Sequence, residues 1–197
     1  MLFGKSVFNS QVFFLSRFSR PKSVLILGGG SGRLLSALIL QSMPEHIWYI
    51  DLSEKMIQKA RERIARDAPS YLDRIDFICG STKNLPAAPT YDLIITPFVL
   101  DCIPHAELDG VMNSLRAVLR PGGCWLFSDF YIPEKGFGRI RAKLITQILY
   151  LFFNLVCGLG VWHLADFDAR FRKIDLRQVE CRYFRAGLLS SKLYVPT

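Results

Sequence analysis

The sequence predicts an α/β fold built on a mostly parallel sheet with helices on both faces. Three observations carry this expectation. The apolar run Val24-Leu25-Ile26-Leu27 leads into Gly28-Gly29-Gly30-Ser31-Gly32, and a second apolar run, Ile47-Trp48-Tyr49-Ile50, ends in Asp51. Further short apolar runs then alternate with helically periodic segments, the order that a parallel sheet with crossover helices requires. The first two runs and the glycine turn between them have the spacing of a nucleoside-binding βαβ unit. A turn without Cβ atoms lets the backbone approach a ligand closely, and a carboxylate at the tip of the next strand can accept from both ribose hydroxyls. The chain is therefore expected to bind an adenosine-containing cofactor.

The first strand is read at Val24–Leu27 and the helix after the glycines from about Arg33 to Ser42. The second strand ends at Ile50. Ser53 is a natural N-cap, because Met56, Ile57, Ala60 and Ile64 recur behind it with helical spacing. A third strand is expected near Ile75–Cys79, a fourth near Leu93–Thr96, a helix over His105–Leu119 and a fifth strand at Cys124–Phe130. Gln178–Phe184 and Leu188–Val195 flank Arg185-Ala186-Gly187 and read as an antiparallel hairpin.

With 197 residues, half of them apolar, the chain suits one domain spanning 1–197 and is too short for two ordinary ones. That domain is expected to carry an N-terminal amphipathic helix over about 1–20 and a hydrophobic helical insertion over about 136–166. The one plausible flexible link is Pro133-Glu134-Lys135-Gly136. Cys79, Cys102, Cys124, Cys157 and Cys181 form no CxxC pair, so no metal site and no disulfide framework is expected, and the thiols read as reduced in a cytoplasmic protein. A formal charge of +8 raises nucleic acid or a membrane surface as a partner. The basic residues are spread along the chain, however, and Thr96-Pro97-Phe98 is a degenerate match to the base-stacking motif of nucleic-acid methylating enzymes, so nucleic acid is not expected. Residues 1–23 superficially match a transit peptide in composition, but cleavage there would fall almost on the first strand.

The glycine spacing selects the cofactor. A GxGxxG dinucleotide fingerprint would need glycine at Arg33 or at Leu35, and the spacing present at Gly28, Gly30 and Gly32 is GxGxG. Together with Asp51-Leu52-Ser53-Glu54-Lys55-Met56, Tyr91-Asp92-Leu93-Ile94-Ile95 and Leu119-Arg120-Pro121-Gly122-Gly123, it resembles the class I S-adenosylmethionine-dependent methyltransferases. The match covers motif I, the post-I segment, the fourth strand and the turn into the fifth. From Ser23 onward the chain is similar to the small-molecule members related to quinone-biosynthesis methyltransferases. The resemblance implies a Rossmann-like seven-stranded sheet closed by the C-terminal hairpin, with S-adenosyl-L-methionine as cofactor and S-adenosyl-L-homocysteine as product.

It also implies roles for particular residues. Gly28, Gly29, Gly30 and Gly32 would pass under the methionine part, Asp51 would hold the ribose, and Leu52 and Met56 would pack on the adenine. Ser81 and Thr82 would lie near the adenine amino group, with Thr96, Pro97 and Phe98 at the carboxyl end of the fourth strand. Two positions depart from the family pattern. Ile26 stands where an acidic residue commonly anchors the cofactor's ammonium group, and Ser81 stands where an aspartate is common. Asp101 is a candidate to replace the lost anchor.

Methyl transfer asks mainly for alignment and exclusion of water, because the positive sulfur already activates the methyl group. A base is needed only for a poor nucleophile such as a hydroxyl. Asp101, Asp129, His163 and His105 are candidates by position alone, and Asp129, Phe130 and Tyr131 also face the expected acceptor pocket.

Leu144 to Leu164 contains no charged residue. A single membrane span is excluded by topology, since the strand before it and the hairpin after it belong to one sheet. Three readings stand: a cap over the acceptor pocket, a helix in a membrane interface edged by Arg139, Arg141 and Lys143, or a homodimer contact. The expected activity is methyl transfer to a small lipophilic or aromatic acceptor. The rival is a methyltransferase-like fold that has lost catalysis and serves as a binding module, while Arg33 disfavours a nicotinamide oxidoreductase.

Overall fold

Seven strands form one sheet in the order β3-β2-β1-β4-β5-β7-β6 among the described residues. The structure, a computed structural model, describes residues 4–85, 91–133 and 163–197. In chain order the elements are α1 (Gly4–Val12), β1 (Ser23–Leu27), α2 (Arg33–Ser42), β2 (His46–Asp51), α3 (Glu54–Asp67), β3 (Ile75–Cys79) and β4 (Tyr91–Pro97). They continue with α4 (His105–Val118), β5 (Leu119–Phe130), α5 (Phe167–Lys173), β6 (Leu176–Phe184) and β7 (Leu189–Pro196). Strands β1 to β5 pair in parallel, and β7 pairs antiparallel with both β5 and β6. This is the mostly parallel α/β sheet that the residues predict, in the Rossmann-like seven-stranded form that the resemblance implies.

Alternation along the strands builds two cores. Val24, Ile26, Leu93, Ile95 and Leu126 face one side and pack with Leu35 and Leu38 of α2 and Ile64 of α3. Leu25, Leu27, Ile94, Trp125 and Phe127 face the other, against Leu108 and Met112 of α4 and Phe167 and Phe171 of α5. A strand buried on both faces has no reason to alternate apolar with polar, which is why β1 reads as a continuous apolar run. Ser53 caps α3, its Oγ accepting from the Met56 N–H at 3.4 Å.

Some boundaries differ from expectation. The helix over 105–118 stops before Leu119, which instead pairs with Tyr91, and the register shift between Tyr91 and Leu93 absorbs Arg120-Pro121-Gly122-Gly123 before Cys124 meets Leu93. The N-terminal segment is a helix at Gly4–Val12 followed by a 3-10 turn at Leu15–Arg17, shorter than the 1–20 span expected. No helix among the described residues is long and apolar enough to cross a membrane. The apolar segment 144–164 and the link at 133–136 lie almost wholly outside the described residues.

Candidate functional site

The sheet order reverses between β1 and β4, and open α/β sheets place ligands at such a switch point, beyond the carboxyl ends of the strands. A cavity of about 340 Å³ lies there. Leu27 and Gly28 reach it from β1, Asp51 and Leu52 from β2, Ser81 and Thr82 from β3, and Phe98 and Val99 from β4. Ile103, Pro104, Glu107 and Val111 close it from the α4 side. Its size and largely apolar lining with a few convergent polar groups suit a small organic ligand.

The glycine loop is held in place by its neighbours. The Gly28 N–H donates to the Ile50 carbonyl at 2.8 Å, continuing the β1–β2 pairing, and the Gly30 N–H donates to Asp51 Oδ2 at 2.9 Å. From below, the Tyr49 hydroxyl donates to the Gly30 carbonyl at 2.8 Å, and Arg63 Nε donates to the Ser31 carbonyl at 2.9 Å. Burial, with the charge of Asp51, pushes the Tyr49 hydroxyl well above its ordinary pKa, so it remains a donor. Glycine is required at Gly28 on two counts. Its φ is +72°, and a Cβ there would lie 2.5 Å from the Val99 side chain. Gly32 opens α2 so close to α3 that a Cβ would come within 2.8 Å of the Ala60 backbone.

Asp51 is oriented by backbone donors. Its Oδ2 takes the Gly30 N–H and its Oδ1 the Ser53 N–H, each at 2.9 Å. A carboxylate offers about four lone-pair sites, so two remain for donors in the cavity that it lines.

Beneath Phe98 and Val99 lies an acidic pair. Asp101 and Asp129 are 6% and 0% exposed. Asp129 Oδ1 accepts from the Phe130 N–H at 2.8 Å, whereas its Oδ2 is buried with no hydrogen-bond partner among the described residues. Cys102 Sγ donates to Asp101 Oδ1 at 3.5 Å. Burial pushes the Asp101 carboxyl up to about 6. Burial and then the neighbouring charge of Asp101 hold Asp129 well above the usual carboxylate range. Such a pair tends to keep a proton between its members.

The structure thus gathers Gly28, Asp51, Leu52, Ser81, Thr82 and Phe98 on one cavity wall. Gly29, Gly30 and Gly32 shape the loop above it. Met56 is half-buried on α3 outside that wall, and Pro97 is buried. Thr96 points into the core, where its Oγ1 accepts from Trp125 Nε1 at 2.9 Å. His163 is exposed, its carbonyl bonded to His105 Nε2 at 3.1 Å, and neither ring lines the cavity. Ser81 Oγ accepts from the Lys83 N–H at 3.3 Å as the cap of a 3-10 turn. Sequence reasoning missed Tyr49, Val99 and Glu107. Tyr49 shares a strand face with Asp51, and that period of two was the signal available for it.

Comparison with known proteins adds a family match. A family model described as a methyltransferase domain matches residues 24–123. Similar curated proteins include the malonyl-acyl-carrier protein O-methyltransferase of Priestia megaterium, 30% identical over 113 residues, 57% of this chain and 38% of that protein. Spermidine synthase 1 of Hyoscyamus niger is 32% identical over 116 residues, 55% of this chain and 36% of that one. The arsenite methyltransferase of Halobacterium salinarum is 31% identical over 110 residues, 55% of this chain and 27% of that one. The chain therefore spans less than two-fifths of the length of these relatives. Among solved structures, the mitomycin 7-O-methyltransferase MmcR superposes with a TM-score of 0.72 at 16% identity, over 98% of this chain and 54% of that one. The CcbJ methyltransferase from Streptomyces caelestis does so with a TM-score of 0.68 at 16% identity, over 96% and 95%. At such identities these superpositions speak for the fold.

Proposed function

Since the chain belongs to the methyltransferase domain family, we propose that it moves a methyl group from S-adenosylmethionine to a small, apolar or aromatic acceptor. The single observation that carries this reading is Asp51, a carboxylate fixed by the Gly30 and Ser53 N–H groups at the switch-point cavity with acceptor capacity to spare.

The residues present fit the cofactor. Asp51 would accept from the ribose hydroxyls. Leu52, Ile103 and Val111 offer apolar surface to the adenine, and the Ser81 and Thr82 hydroxyls lie along the same wall. The methionine part would follow the loop at Gly28 and Gly30, where no Cβ intrudes. Ile26 is fully buried and offers no anchor for its ammonium group, so Glu107 on the cavity wall and Asp101 beneath it are the carboxylates available for that charge. When bound, the cofactor supplies a methyl group on positive sulfur that passes to a nucleophile in line. The protein's part is to hold the acceptor beside Phe98, keep water out and accept the acceptor's proton where one must leave. Asp101 and Asp129 suit that last task as a buried acidic pair one layer below.

Calorimetric titration tests this directly, with S-adenosylmethionine, S-adenosylhomocysteine and NAD as control. Micromolar binding of the two sulfur compounds is expected, with no NAD binding and a loss of about tenfold or more in Asp51→Ala, the scale of hydrogen bonds to a charged group. Equal binding by Asp51→Ala overturns the ribose assignment. Absence of binding by the parent overturns the methyltransferase reading.

A further inference from the structure

A second cavity, of about 280 Å³, lies beyond the first on the α5 face of the sheet. Phe98 belongs to the wall of the first cavity and Phe130 to that of the second, and their rings meet edge to face with centroids 5.4 Å apart. This ring pair is therefore the partition between the two spaces. The second cavity is walled by aromatic rings: Phe127 and Phe167, 4.8 Å apart, and Tyr131.

Its polar end is unusual for a sheet interior. Lys192 stands in the middle of β7, opposite Phe127 of β5, with its side chain 4% exposed. Its Nζ lies 2.6 Å from both carboxylate oxygens of Asp168 on α5, and the Tyr194 hydroxyl donates to Asp168 Oδ1 at 2.5 Å. Stability does not account for a lysine here, because an apolar side chain of similar volume usually packs as well as a buried ion pair or better. Nor does the proposed use of the first cavity draw on it. An ammonium carries three N–H donors, and one carboxylate cannot occupy all three; beside Asp168, Nζ has the face of the Tyr131 ring, its centroid 5.2 Å away, a weaker partner than a ligand oxygen. The ligand chemistry follows from the local charge. Asp168 neutralises Lys192, and Asp166 on the cavity wall offsets Arg172, whose charge also acts on Asp168, so an anion meets no net positive charge, whereas a neutral oxygen can accept the spare N–H. Lys192 also lies three residues along the sheet from Phe130, about 10 Å at the rise of a strand, which suits a ligand about two fused rings long with its far end at the partition.

We propose that the second cavity is the acceptor chamber and takes a neutral aromatic compound with a hydroxyl at each end, its rings against Phe127, Phe167 and Tyr131 and one hydroxyl oxygen accepting from Lys192. The other hydroxyl would lie at the Phe98–Phe130 end, where its oxygen would form the new bond to the methyl group as the bond from that methyl to sulfur breaks, its proton passing to the Asp101–Asp129 pair. This names the substrate class for the methyltransferase reading and rests on it.

The test is a fluorescence titration of the full chain with 2-naphthol, naphthalene and 2-naphthoate, run beside the S-adenosylmethionine titration. The parent should bind 2-naphthol about tenfold or more tightly than naphthalene, the scale of one hydrogen bond to a charged donor, and 2-naphthoate more weakly than 2-naphthol. Lys192→Met should erase the preference for 2-naphthol over naphthalene while leaving cofactor binding unchanged. Ile132→Trp, which adds bulk to the chamber wall and keeps the lysine in the sequence, should abolish 2-naphthol binding and serves where Lys192→Met does not fold. No 2-naphthol binding by the parent, equal affinity for naphthalene, tighter binding of 2-naphthoate, or a preference that survives either variant overturns the proposal. Lysine-dependent 2-naphthol binding without cofactor binding supports the chamber and overturns the methyltransferase reading instead.

Discussion

Replacing Gly28 with alanine probes a close approach in the first cavity, and a second glycine in the same loop supplies the control. Gly28 and Gly30 have nearly the same φ, +72° and +64°, yet a Cβ at Gly28 would lie 2.5 Å from the Val99 side chain while one at Gly30 would meet nothing within 4 Å. The left-handed conformation costs a non-glycine residue about 1–2 kcal/mol, and forcing a side chain out of a packed position costs about 1–3 kcal/mol more. Gly30→Ala should therefore lose about 1–2 kcal/mol and Gly28→Ala about 2–5 kcal/mol. For a domain of this size these correspond to falls in Tm of about 2–8 °C and about 4–20 °C. Thermal melts followed by circular dichroism, with urea unfolding to confirm an unchanged m-value, read both. Because Gly28 and Val99 line the cavity together, Gly28→Ala should also weaken S-adenosylmethionine more than its loss of stability explains. Equal destabilisation by the two substitutions would refute the close-approach argument and leave only the φ cost.

Two further outcomes are expected. Burial holds Asp101 up from its ordinary 3.8 to about 6 and Asp129 higher than usual, so the folded chain binds these protons more tightly than the unfolded one, and stability contributed below about pH 4 is lost as pH rises through 6 and beyond. Asp129→Asn should flatten that decline in a series of urea unfolding curves against pH, and an unchanged slope would contradict the assignment. Tyr49→Phe removes the hydroxyl that supports the Gly30 carbonyl and should cost about 1 kcal/mol. Slower closing of the loop should appear as faster amide hydrogen exchange at Gly30 and Ser31, and exchange at the parental rate would rule out the supporting role.

The first strand, the glycine turn and Asp51 were legible because their signals are local: an apolar run, residues that tolerate positive φ, and a carboxylate at a strand tip. The hairpin of β6 and β7 was legible for the same reason. Leu119 was not, since Pro121 and Gly122 look like a plain turn and only the distant bridge to Tyr91 draws Leu119 into β5. Thr96 sits at a strand end as expected, but the strand's alternation sends its side chain toward Trp125, and the sequence does not say which face is the occupied one. Asp101 and Asp129 were each visible as acids near strand ends, while their mutual influence depends on the turn after β4 folding against the end of the neighbouring β5. Lys192 reads as one more exposed basic residue of a hairpin. Only the placement of α5 over β7 brings Asp168 to it.

The position of β7 between β5 and β6 constrains how the chain can assemble. β6 is synthesised before β7 but lies outside it, so it cannot extend the sheet from β5 by itself. Until Leu189–Pro196 is in place, β5 presents an unpaired edge built from Trp125, Leu126 and Phe127, the kind of strand that pairs with whatever chain it meets first. β6 therefore joins the sheet only with or after β7, and a break within those eight residues would release two strands and expose the β5 edge to aggregation.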